Sequence, residues 1–88
     1  MPLFAITYDL VKQKDYQTLW DELERLGAHK ALNSFYLVSL TNDEPQEIVD
    51  HLKQFIDGDD RLMVVRFIGK PKYTFALAGT NDWVKENT

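Results

Sequence analysis

At 88 residues, with 44% hydrophobic and 27% charged positions, the chain has the composition of one ordinary globular domain and too little polar bias for a disordered one. Fourteen acidic against ten basic residues leave a net charge of −4. That excludes a surface built throughout to grip phosphates, so any nucleic-acid contact has to come from a local patch.

The absence of cysteine removes disulfides, thiolate nucleophiles and cysteine-ligated zinc together. Met1-Pro2-Leu3 lacks the basic stretch and apolar core of a signal peptide, and no run approaches the roughly 18 apolar residues of a membrane span. The expectation is a cytoplasmic protein with no membrane partner.

The first element is the apolar run from Leu3 to Leu10, read as a central strand. Leu3, Ala5, Thr7 and Asp9 share one face and Phe4, Ile6, Tyr8 and Leu10 the other. Asp9 stands out because a carboxylate is a poor strand former and, if buried and ionised, needs a partner, a metal or a shifted pKa. In a symmetric dimer two copies of Asp9 would be placed to share a divalent cation. The competing reading is a strand-end carboxylate that caps turn amides or pairs with a lysine.

After the polar linker Val11 to Asp15, Asp15 is the expected cap of a helix carrying Tyr16, Leu19, Trp20, Leu23 and Leu26 at helical spacing, stopped by Gly27. His29 to Leu40 is too long for one average strand, and Asn33-Ser34 interrupts it, which predicts two strands or one bent strand. Thr41 to Pro45 supplies side-chain oxygens and an early proline for a second helix, with Ile48, Val49, Leu52, Phe55 and Ile56 as its stripe and Asp57 to Asp60 as its stop. Arg61 to Ile68 is the last strong strand. Gly69 to Lys72 is a basic turn, Tyr73 to Leu77 an expected short edge strand, and Thr80 to Lys85 a terminal helical turn with fraying beyond.

This order predicts an α+β, ferredoxin-like βαββαβ sandwich, an antiparallel sheet with two helices on one face. It occupies residues 1–78, with 79–88 as a C-terminal tail. The uncovered face is too apolar to stay wet, which predicts a homodimer packed sheet to sheet. The alternative cover is the C-terminal segment with Phe75, Leu77 and Trp83.

Ile6-Thr7-Tyr8-Asp9-Leu10, the helix end Leu26-Gly27, the element Lys30 to Tyr36 and Asp59-Asp60-Arg61-Leu62 together resemble a family. It is the small CRISPR-associated adaptation protein, the second of the two universal ones, with its relative virulence-associated protein D. The likeness covers residues 3–68. It implies a homodimer in which Asp9 faces its symmetry mate and binds magnesium as the catalytic and metal residue. It further implies either a metal-dependent nuclease acting on RNA or duplex DNA or a non-catalytic scaffold for spacer integration. Ser34 and Phe35 also fit the pattern. The acidic charge departs from it, since scaffold members carry basic surfaces for a duplex.

Other candidates carry less chemistry. Asp59 and Asp60 are possible extra carboxylates but read as a solvated turn. His29 and His51 lack a neighbouring nucleophile, and Ser34 lacks a nucleophile elbow. Tyr8, Tyr36, Trp20 and Trp83 read as packing. Arg66, Lys70, Lys72 and Tyr73 form the one basic cluster beside an aromatic, the pattern of a single-strand nucleic-acid contact; lysines and Pro71 guarding a sheet edge explain it as well. The second class of function is a non-enzymatic dimeric module or acidic inhibitor that binds a protein partner.

Overall fold

The computed structural model describes residues 2–11, 14–41 and 44–88, and for Lys14 and Asp15 the backbone alone. Four strands, β1 (Leu3–Asp9), β2 (His29–Leu32), β3 (Phe35–Ser39) and β4 (Arg61–Phe67), make one antiparallel sheet in the order β2-β3-β1-β4. Helices α1 (Lys14–Arg25) and α2 (Pro45–Leu52), the latter extended by a 3-10 turn over Lys53–Phe55, fill the two crossovers, and α3 (Thr80–Asn87) follows the sheet. This is the expected ferredoxin-like fold with one helix added.

The two-residue period of β1 divides the molecule. Phe4 and Ile6 are fully buried and Tyr8 nearly so, packed with Leu19 and Leu23 of α1 and Ile48 and Leu52 of α2. Ala5 and Thr7 point to the opposite face, where β4 sets Val65 across from Ala5 and Met63 across from Thr7. A second, smaller cluster forms there from Ala31 and Leu37 with Val84, against which Ala5, Phe35, Phe67 and Trp83 pack. So α3 covers the β2 side of the open face. Met63 and Val65 on the β4 side stay 61% and 49% exposed.

The stops are made as their residues dictate. Gly27 adopts φ +79°, and the amides of Gly27 and Ala28 donate to the carbonyls of Glu24 and Leu23, both at 3.0 Å. This double bond over a left-handed glycine closes the last turn of α1. Helix α1 begins at Lys14, so Asp15 lies inside its first turn instead of preceding it, and its side chain lies outside the described residues. The same holds for Asn42 and Asp43, two of the oxygens expected to start α2. Glu44 precedes that helix without a side-chain cap, and Pro45 opens it. The break at Asn33-Ser34 is a tight turn between β2 and β3, with Ser34 left-handed.

The C-terminal part differs from expectation in two ways. Tyr73 to Leu77 forms no strand; its Leu77 amide donates to the Ala31 carbonyl at 2.9 Å, a single tether where a ladder needs several. Phe75 in left-handed backbone, φ +59°, interrupts the extended path that pairing requires. The terminal helix is also longer than one turn. It reaches Asn87 because Val84 and Trp83 bury against the sheet, and because the side-chain amide of Asn87 donates to the Trp83 carbonyl at 2.8 Å.

Phe75 combines this strained backbone with a fully exposed ring. Phe75→Gly is therefore expected to stabilise the chain by about 0.5 to 1 kcal/mol, the relief of left-handed strain less the extra entropy of glycine. A urea midpoint that falls in this variant contradicts the assignment.

Candidate functional site

Asp9 ends β1 on the open face of the sheet, directly across from Arg61, the first residue of β4. Its carboxylate is 72% exposed and accepts a hydrogen bond from Arg61 Nη1 at 3.3 Å. The strand-end partner is thus an arginine where a lysine or turn amides were the expected alternative. An ion pair this exposed contributes little to stability, so Asp9 is held loosely and is open to a competing cation.

The neighbouring acidic turn is structural. Asp60 accepts from the Val11 amide at 2.7 Å with one carboxylate oxygen and from the Asp57 amide at 2.9 Å with the other. It thereby ties the chain leaving β1 to the turn entering β4. Among the described residues no three histidine, aspartate or glutamate side chains gather as a metal-binding group. The described residues of one chain therefore do not complete a three-ligand metal site at Asp9.

The basic candidates lie elsewhere. The antiparallel register sets Arg66 across from Phe4, on the helix side of the sheet, and at the end of the sheet it lines a depression with Pro2, Leu3, Asn87 and Thr88. Lys70, Lys72 and Tyr73 share a different depression with Asn81, Val84 and Lys85, and the Tyr73 hydroxyl donates to Asn81 Oδ1. The fold brings these three together and separates Arg66 from them. Asp9 and the start of β1 are six residues apart along an extended strand, roughly 20 Å. Tyr8 and Tyr36 face the helices, away from Asp9, so they do not shape its surroundings. Burial raises the Tyr8 hydroxyl and pushes that of Tyr36 up to about 12, which removes both as proton carriers near neutral pH.

A polar cluster that no sequence motif announces joins the two helices. Glu22 of α1 is buried, takes two hydrogen bonds from Arg25 at 2.7 and 2.6 Å, and lies 2.5 Å from Nε2 of His51 on α2. The Arg25 bonds hold the Glu22 carboxyl down at about 2, against a burial that opposes them and with His51 assisting. The i, i+3 spacing of Glu22 and Arg25 was the only local signal. His29 has a structural place as well. Thr80 Oγ1 donates to the Leu77 carbonyl at 2.7 Å, so His29 Nε2 donates to Thr80 Oγ1 at 2.8 Å and pins α3 to β2.

The sheet order and the carboxylate closing its central strand meet a matching family. The family model for CRISPR associated protein Cas2 matches residues 1–74. The chain belongs to the Cas2 family. The match takes in all of the Cas2-type sheet with α1 and α2, and ends before α3. It also includes Asp9, Arg61 and the basic residues Lys70 and Lys72. None of the described helices is long and apolar enough to cross a membrane.

Proposed function

We propose that this Cas2-family chain acts as a homodimer on or near nucleic acid, with one Asp9 from each copy holding a magnesium ion. The observation that carries this reading is that Asp9 shares the open sheet face with Met63 and Val65, apolar strand residues that stay half or more exposed on the single chain. A two-fold contact across that face presents the same patch twice, and the carboxylates at its rim approach each other. The donor set suits a hard cation: magnesium accepts one or two carboxylates and fills its other positions with water and substrate phosphate. When bound, magnesium would supply activation of a water nucleophile and neutralisation of charge for an in-line displacement. Asp9 holds the ion after releasing Arg61, and Lys70, Lys72 and Tyr73 supply phosphate and base contacts beyond the cleavage point.

Purified protein incubated with labelled RNA and duplex DNA, with magnesium or manganese, tests this directly. Cleavage is expected in the wild type and only background in Asp9→Asn, while Arg61→Ala is expected to bind the metal more tightly because it removes a competing cation. Cleavage unchanged in Asp9→Asn sinks the metal role. A monomer mass at micromolar concentration in light scattering sinks the dimer.

The net charge of −4 favours one second reading, a non-enzymatic dimeric module that binds a protein partner. A dimer that neither cleaves nor binds nucleic acid selects it.

A further inference from the structure

Between β4 and α3 the chain crosses the open face as a strap, residues 68–79, and beneath it lies a cleft of roughly 360 Å³. Its floor is Ala5, Ala31, Phe35, Leu37 and Phe67, an apolar wall contributed by all four strands. The volume falls at the small end of the range for small-molecule sites. The strap is pinned at its far end by the Leu77–Ala31 backbone bond and the His29–Thr80 contact, so the cleft exists before anything binds.

What the cleft offers a ligand is limited and specific. Lys70 and Lys72, on either side of Pro71, both line it, and neither has an acidic partner at salt-bridge distance among the described residues. The surrounding sequence makes the charge local: Arg61 to Asn81 holds four basic residues and no acidic one in a chain of net charge −4. The hydroxyls in the lining are already committed, Thr80 to Leu77 and His29, and Tyr73 to Asn81. A ligand with a polar body would leave its own donors and acceptors unmatched against the floor, which is unfavourable, and a cation would meet two ammonium groups.

We propose that the cleft binds a small amphipathic anion, a free carboxylate whose aliphatic or aromatic body lies on the apolar floor while Lys70 and Lys72 hold its charge. A nucleobase fits the cleft poorly, because it carries polar edges that the floor does not satisfy; the nucleic-acid contacts proposed for Lys70, Lys72 and Tyr73 belong to the neighbouring depression with Asn81 and Lys85. The site is separate from Asp9 and does not depend on the metal reading.

The test titrates the full chain with decanoate and with decan-1-ol, following heat and tryptophan fluorescence, beside a Lys70→Met/Lys72→Met variant and an Ala5→Leu variant that fills the floor. Saturable binding of one decanoate per chain is expected, with decan-1-ol about tenfold weaker, the difference a pair of charge-assisted contacts makes. The lysine variant is expected to bind decanoate no better than the alcohol, and Ala5→Leu to bind neither while its thermal unfolding stays cooperative. No saturable binding, equal affinity for acid and alcohol, or decanoate binding unchanged in the lysine variant overturns the proposal. So does a dimer that Ala5→Leu dissociates and decanoate leaves intact, because a second copy would then be the occupant.

Discussion

Phe4→Ala is expected to destabilise the chain by about 3 to 5 kcal/mol, the range for removing a fully buried phenylalanine and leaving a cavity. Phe4 has no exposed surface and lies on the central strand, with both helices packed against that face. Domains of this size have a total stability of roughly 5 to 15 kcal/mol, so the variant is expected to lose much or all of its folded population on mild heating. Val65→Ser gives the contrast. Val65 lies on the adjoining strand but on the open face and is half exposed, so its loss is expected to remove less than about 1 kcal/mol from a single chain. Urea unfolding at submicromolar concentration measures both. At higher concentration the proposed dimer adds a second outcome: Val65→Ser then lowers the midpoint far more, because it strikes the contact between copies. Equal losses for Phe4 and Val65 at high dilution would contradict the division of the sheet into a packed and an open face.

That division is what the amino-acid pattern states most clearly. Alternation from Leu3 to Asp9 separates Phe4, Ile6 and Tyr8 from Ala5, Thr7 and Asp9, and the helical spacing of Leu19, Leu23, Ile48 and Leu52 supplies the layer that covers the first set. These are period signals, strong because burial enforces them at every repeat. The path after Phe67 carries weaker local signals. Tyr73 to Leu77 has strand-like residues, but strand propensity reports fit to a packed, pleated surface, and Phe75 turns left-handed where a ladder would have continued. Helix α3 has weak local signals because Trp83 and Val84 are ordered by a sheet face made of distant residues, Ala31 and Leu37. The candidate site divides likewise. Asp9 stands out as a carboxylate in an apolar run, whereas its pairing with Arg61 depends on a register between residues 52 apart. Strand parity turns Arg66 to the helix side, while Lys70 and Lys72 lie past the end of β4 on the segment that crosses the open face, a separation the charge count alone does not contain.

The Glu22 cluster makes the second large prediction, because it places a charge between α1 and α2. The folded carboxyl sits at about 2 against an ordinary 4.5, so ionisation favours the folded state. Its contribution is whole above about pH 4.5 and is lost as the pH falls from there through 2. Taken at face value the shift amounts to roughly 3 kcal/mol. Arg25 and His51, however, are 64% and 40% exposed, so water screens the partners and about 1 to 2 kcal/mol is the expected net. Glu22→Gln keeps the shape and removes the charge: it is expected to lose that amount at pH 7 and to approach the wild type as the pH falls to 2. Arg25→Met is expected to be at least as damaging at pH 7, because it leaves a buried carboxylate with His51 as its remaining partner in the cluster, and removing one side of a buried pair exposes the other to its full desolvation penalty. Urea midpoints of the three proteins at pH 2, 4.5 and 7 decide the matter. Converging curves toward acid assign the acid limb of stability to Glu22; parallel curves assign it to other carboxylates and reduce the cluster to a packing contact.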